Sequence, residues 1–191
     1  SGATYMDGTT DITRTYPLGP LTEDEKRFYT WTLQSHIDLA KAVWLDYCEC
    51  KMIDTIAREP LWRHLINYRC GTGHSVSFVG NVHEGPHALN GRNTTLMRPG
   101  MIVTDEPGVY ETDLVGIRIE NELVCVHKAD NQYGTFLGFE PLMFVPIATS
   151  PILPGVLDKD EIAWLNDYHR QVFAKLAPHL NDEERSWLAR P

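Results

Sequence analysis

The chain is short of basic residues, of patterned cysteine and of long apolar runs, and each shortage removes a class of function. Lys and Arg number 17 against 26 Asp and Glu in 191 residues, a net charge of −9. That balance argues against a nucleic-acid partner, because phosphate binding needs a basic face. No apolar run approaches the roughly 18 residues of a membrane span, and no signal peptide is visible, so no membrane partner is expected. The four cysteines, Cys48, Cys50, Cys70 and Cys125, fit neither a zinc ribbon nor a disulfide framework. Reduced thiols and a cytoplasmic location are the expectation. No internal repeat, low-complexity tract or initiator Met is present, and the chain starts inside what reads as a strand. It is expected to be a fragment of a larger protein.

What remains is the ordinary composition of a globular domain, 42% hydrophobic and 23% charged, long enough for one core. Residues 3–16 read as a β-hairpin turning at Asp7-Gly8. Thr22 and Glu25 form a capping box ahead of a long helix, on which Phe28, Trp31, Leu39 and Val43 recur at helical spacing. A second helix is expected over 52–64, with Pro60 kinking or breaking it. Residues 70–100 are loop-rich. Met101 to Thr104 reads as a short strand and Val115 to His127 as one long strand. Its alternation places Ile117, Ile119, Leu123 and Cys125 on one face and Arg118, Glu120 and Glu122 on the other. A last strand is expected over 135–146. After Pro154 a capped helix carries Ile162, Leu165, Tyr168, Val172, Phe173 and Leu176, ends at Pro178, and is followed by a short helix near 182–189.

Four residues in short local motifs carry the chemistry: Asp11 in Asp7–Thr15, His74 in Gly71-Thr72-Gly73-His74, Glu106 in Thr104–Gly108 and Glu120 in Gly116–Asn121. Three carboxylates and an imidazole make a hard ligand set suited to a divalent metal that activates water. Taken singly, the Gly-Thr-Gly-His segment reads as an ordinary turn and Glu106 as an ordinary turn acid. A second turn-bounded histidine, His83, strengthens the catalytic alternative. Glu120 falls in a segment expected to be buried, and a buried carboxylate needs a partner, either Arg118 on the same face or a metal.

Together these motifs resemble the pita-bread metallopeptidases, and within them the long, three-domain Xaa-Pro aminopeptidase type. The likeness covers Ser1-Gly2-Ala3, Asp7–Thr15, Ala57–Trp62, Gly71–His74, Asn81–Pro86, Glu106–Gly108, Gly116–Asn121 and Gly138–Pro141. A tail with Trp164–His169 and Trp187-Leu188 resembles the long form's C-terminal extension. The resemblance implies an α+β pita-bread fold, incomplete here, with the C-terminal part of the catalytic domain over 1–146 and a helical extension over 147–191. It implies two divalent metals, manganese ahead of zinc or cobalt. Asp11 and Glu120 would bridge them, His74 and Glu106 would complete one, and a bridging hydroxide would attack an Xaa-Pro bond. His83 matches a histidine that contacts substrate and oxyanion, Arg118 an arginine that orients carboxylates, and Tyr110 a tyrosine near the site. The partners implied are peptides with proline second and, in the whole protein, a second copy as a homodimer.

The sequence departs from that pattern in places. The family's first metal aspartate would fall just before Ser1, and a further upstream histidine is absent, so the piece alone is expected to be inactive. Asp7 reads as a turn former rather than a substitute ligand. Cys70 stands where a substrate-binding histidine is common, and Ser75 and Ser77 stand where glycines are usual. A prolidase-like dipeptidase and a metal-free binding module of the same fold are the alternatives.

Overall fold

Alternating and helical patterns sort residues 2–189, which the computed structural model describes, into small antiparallel sheets and four α-helices. β1 (Gly2–Tyr5) and β2 (Gly8–Asp11) form the expected hairpin. Gly8, at φ +154°, takes a backbone conformation that favours glycine, and Asp7 is exposed at the turn. α1 (Glu23–Ala40) starts from a two-way capping box: Thr22 Oγ1 accepts from the Glu25 N–H and Glu25 accepts from the Thr22 N–H. From Tyr29 onward α1 is buried on nearly every side.

Val43 is not on this helix. The chain leaves it at Ala40, and Val43–Leu45 forms β3, whose alternation turns Val43 outward (56% exposed) and Trp44 inward. Pro60 does not break α2 (Cys50–Trp62). The helix runs past it to Trp62, and the Arg63 N–H closes it on the Glu59 carbonyl at 3.1 Å.

The loop-rich stretch contains two short paired strands, β4 (Gly73–His74) and β5 (Ala88–Leu89). β6 (Ile102–Asp105), β7 (Gly108–Glu111), β8 (Val115–Arg118), β9 (Asn121–Asn131) and β10 (Gly134–Pro141) follow. The main sheet is antiparallel in the order β3-β10-β9-β6, and β7 pairs with β8 apart from it.

The single strand expected over Val115–His127 is therefore two. At Ile119-Glu120 the chain changes partner, because the Glu120 N–H bonds the Thr13 carbonyl (3.0 Å) instead of a sheet neighbour. The break divides the aliphatic row: Ile117 and Ile119 pack into a core with α1 and the C-terminal helices, whereas Leu123 and Cys125 pack into another with α2 and the main sheet. The last strand also stops short, at Pro141 rather than 146, since Pro141 and Pro146 lack ladder donors. Asp158 caps α3 (Lys159–Leu176) through a second capping box. Pro178 lies in a 3₁₀ turn, Ala177–His179, that ends it, and α4 (Asp182–Leu188) follows. On α3, Leu165, Tyr168 and Val172 are buried, while Ile162 and Phe173 face outward.

Candidate metal centre

Four separate elements bring the acidic and imidazole side chains together. Asp11 comes from the end of β2, His74 from β4, Glu106 from the turn between β6 and β7, and Glu120 from the break between β8 and β9. One ligand atom each from Asp11, His74 and Glu120 lies within 4.8 Å of the others. Glu106 joins through His74, whose Nε2 is 3.0 Å from Glu106 Oε1 and 3.7 Å from Asp11 Oδ2.

Close backbone packing aims His74. A Cβ on Gly73 would fall 1.7 Å from the Thr104 carbonyl oxygen, so only glycine lets β4 lie this near β6. The His74 N–H donates to Thr104 Oγ1 at 2.9 Å, and Thr104 Oγ1 donates to Glu106 Oε1 at 3.0 Å. One threonine thus fixes two donors. Ser75 and Ser77 are absent from the residues with positive φ, so replacing glycine there strains nothing.

His74 Nδ1 lies 3.1 Å from the Ser75 carbonyl and donates to it, which leaves Nε2 with a lone pair facing two carboxylates. Such an arrangement is repulsive unless a proton or a cation sits between. The imidazole holds its proton tightly: burial lowers its pKa, but Glu106, Ser75 and Asp11 together raise it above the usual histidine value. Glu120, 1% exposed, is pushed up to about 7 by burial and by repulsion from Glu106 and Asp11, against a hydrogen bond from Thr13 Oγ1. Burial also raises Glu106, yet the His74 bond and the Arg118 charge outweigh it and net its pKa below the usual range. The residues fit a hard divalent cation, which would relieve both strains at once.

Of the two partners open to Glu120 in the sequence, Arg118 is not the one it takes. Arg118 Nη1 lies 3.1 Å from Glu106 Oε2, and Glu120 takes the Thr13 hydroxyl instead. The strand break turns Glu120 toward Thr13 and leaves Arg118 beside the β6–β7 turn. Tyr110, 56% exposed, lies 5.7 Å beneath the Arg118 guanidinium and covers Gly108, where a Cβ would meet its ring at 3.0 Å. The half-buried Cys70 thiol reaches the Gly108 carbonyl on the same wall at 3.5 Å. The His83 ring stands edge-on to His74 with centroids 4.1 Å apart. All eight candidate residues therefore gather in one region.

Several neighbours carry no sequence signal of their own. Thr13 and Thr104 sit inside the motifs and act through hydroxyls. Glu122 accepts the Asp11 N–H at 2.7 Å, and burial raises its pKa to about 7. Beneath Glu106, the fully buried Asp105 carboxylate meets His36 Nδ1 at 3.1 Å, and burial raises Asp105 to about 6 against the opposing pull of His36. An acidic residue beside a helix histidine 69 positions away is visible only once the chain is folded.

With this geometry in place, comparison with known proteins is informative. The sequence model of metallopeptidase family M24 matches residues 1–127, and that of the C-terminal region of peptidase M24 matches 135–191. Aminopeptidase P1 of Lotus japonicus is 44% identical over 98% of this chain and 29% of its own length. Aminopeptidase P2 of Arabidopsis thaliana is 45% identical over 98% of this chain and 27% of its own. The chain thus spans under a third of the length of these relatives. The crystal structure of X-prolyl aminopeptidase from Caenorhabditis elegans, described as a cytosolic enzyme with a di-nuclear active site, superposes with a TM-score of 0.92 at 38% identity, over 98% of this chain and 32% of that one. Prolidase from Pyrococcus furiosus superposes with a TM-score of 0.62 at 28% identity, over 74% of this chain and 39% of that one. The fold is that of the pita-bread peptidases, and the chain belongs to metallopeptidase family M24.

Proposed function

We propose that this chain supplies most of the metal centre of an Xaa-Pro aminopeptidase that removes the first residue from peptides with proline second. The observation that carries the proposal is the cluster of Asp11, His74 and Glu120 donors within 4.8 Å, with Glu106 against His74. Asp11, Glu120, His74 and Glu106 would hold the divalent metal. Manganese is the first choice because carboxylate oxygens dominate the set, with zinc or cobalt as substitutes. The metal, when bound, supplies an acidified water and polarises the scissile carbonyl.

The remaining residues bind and orient. Arg118 holds Glu106 in one rotamer and keeps it ionised. His83, exposed beside His74, can donate to the carbonyl oxygen as negative charge grows there. Cys70 and Tyr110, on the Arg118 wall, face the space where substrate would lie. We also assign residues 1–146 to the catalytic domain and 147–191 to the helical extension, and a cytoplasmic location. No described helix is long and apolar enough to cross a membrane.

An aminopeptidase is favoured over a dipeptidase because relatives 44–45% identical over 98% of the chain are named as aminopeptidases P, whereas prolidase is 28% identical over 74% of it. The protein at full length, loaded with manganese, is expected to cleave a tripeptide with proline second faster than an Xaa-Pro dipeptide. Preference for the dipeptide would favour the prolidase alternative, and no hydrolysis of either would favour a binding module.

A further inference from the structure

Arg14 is the most heavily bonded side chain near the centre, yet it touches no carboxylate among its hydrogen-bond partners. Its five N–H groups reach six acceptors. Nη1 bonds the Thr13 carbonyl at 2.9 Å and the Glu120 carbonyl at 2.6 Å. Nη2 reaches Asn121 Oδ1 at 2.8 Å, the Val145 carbonyl at 2.7 Å and the Tyr168 hydroxyl at 2.8 Å. Nε is shared between the Val145 and Pro146 carbonyls at 3.2 and 3.1 Å. One guanidinium therefore holds three pieces of chain: the segment after β2, the β8–β9 break that carries Glu120, and the run between β10 and α3.

Tyr168 links this knot to α3. It is 1% exposed and lies flat against Trp164, with ring centroids 5.4 Å apart. Its hydroxyl accepts from Arg14 Nη2 and from the Val145 N–H at 3.2 Å, leaving one hydrogen for the Met143 or Val145 carbonyl, each 3.0 Å away. The hydroxyl is thus fully used. On the far side, Asn121 Nδ2 lies 3.3 Å from His36 Nε2, and His36 Nδ1 meets Asp105. A continuous polar chain runs from α3 through Tyr168, Arg14 and Asn121 to His36 and Asp105, passing behind Glu120 and ending next to Glu106.

The Arg14 charge is spent on backbone carbonyls of the two segments that face each other across the Thr13–Glu120 bridge. Those bonds fix the peptide planes on which the Glu120 side chain and its Thr13 partner are mounted. We propose that Arg14, seated by Tyr168, is a positioning residue for Glu120, so that the C-terminal helical extension sets the geometry of the metal centre. The inference rests on the metal-site proposal above.

The test is manganese binding by the full-length protein, followed by calorimetry and by the electron paramagnetic resonance spectrum of the bound ion. Arg14→Lys keeps the charge but cannot span the three segments, and it is expected to weaken manganese binding about 10-fold or more, in the range for residues that orient ligands. Tyr168→Phe removes one hydroxyl and is expected to fold, with a loss at the low end of that range, about 10-fold, and a broadened spectrum. Val172→Ala, on the same helix and in the same core, lowers thermal stability without touching the clamp and should bind as wild type does. Wild-type affinity and spectrum in both Arg14→Lys and Tyr168→Phe would overturn the inference, as would an equal loss in Val172→Ala. Failure of the wild type to bind manganese would overturn the metal-site proposal together with it.

Discussion

At the scale of single residues, the centre is a set of donors whose mutual repulsion is tolerable only with positive charge among them. His74 and Glu106 touch each other, so removing either leaves a buried partner exposed to carboxylates. His74→Ala is expected to weaken divalent-metal binding at least about 100-fold, beyond what orienting residues cost, and titration calorimetry reads it directly. Gly73→Ala should act on the same site without altering a donor. Its Cβ would overlap the Thr104 carbonyl at 1.7 Å, forcing β4 from β6 and carrying His74 away. A loss of about 1–3 kcal/mol in chemical denaturation is expected, as for other overpacked sites, with metal affinity falling alongside. Away from the centre, His169 offers a pH test. Burial lowers its pKa from 6.5, and its Nε2 accepts the Ile147 N–H at 3.1 Å, a bond only the neutral ring can accept. A depressed folded-state pKa contributes stability that is present above pH 6.5 and lost as pH falls through the folded value. Melting temperatures of wild type and His169→Gln should therefore run parallel above pH 7 and separate below 6.5, with wild type falling more steeply.

At the scale of elements, the donors are legible in the sequence because each sits in a short motif, His74 beside Gly73 and Glu106 beside Pro107. The capping boxes at Thr22 and Asp158 are equally local, and helix starts follow from them. Thr22→Ala should cost about 1 kcal/mol, measurable by urea denaturation. Breaks in regular structure are not local. The alternation from Val115 to His127 is unbroken in sequence, and only the pull of Thr13 on Glu120, 107 positions away, divides it. Val43 follows the spacing of the helix before it, but pairing of β3 with β10 claims it for a strand. Pro60 signals a break, yet α2 continues through it to Trp62. Alternation offers Arg118 as one partner for Glu120, and it goes to Glu106 because the strand ends between them. Hydroxyl and guanidinium partners such as Thr104 and Arg14 fall outside such patterns, since the His74 N–H that Thr104 accepts and most acceptors of Arg14 come from distant segments.

At the scale of the whole molecule, two cores meet at the Glu120 break, one under the main sheet and one under α3, and the centre lies across the joint. Metal binding should therefore stabilise the fold as a unit. Manganese at about 100 times its dissociation constant adds about 2.7 kcal/mol to the folded state, so melting temperature should rise by several degrees and return to its starting value with chelator. A Glu120→Gln protein should show little such rise. The most direct measurement is a crystal of the protein grown with manganese and recorded at the manganese absorption edge. An anomalous peak enclosed by Asp11, His74, Glu106 and Glu120 is the predicted result, and a manganese-loaded crystal with no peak among those four side chains would contradict it.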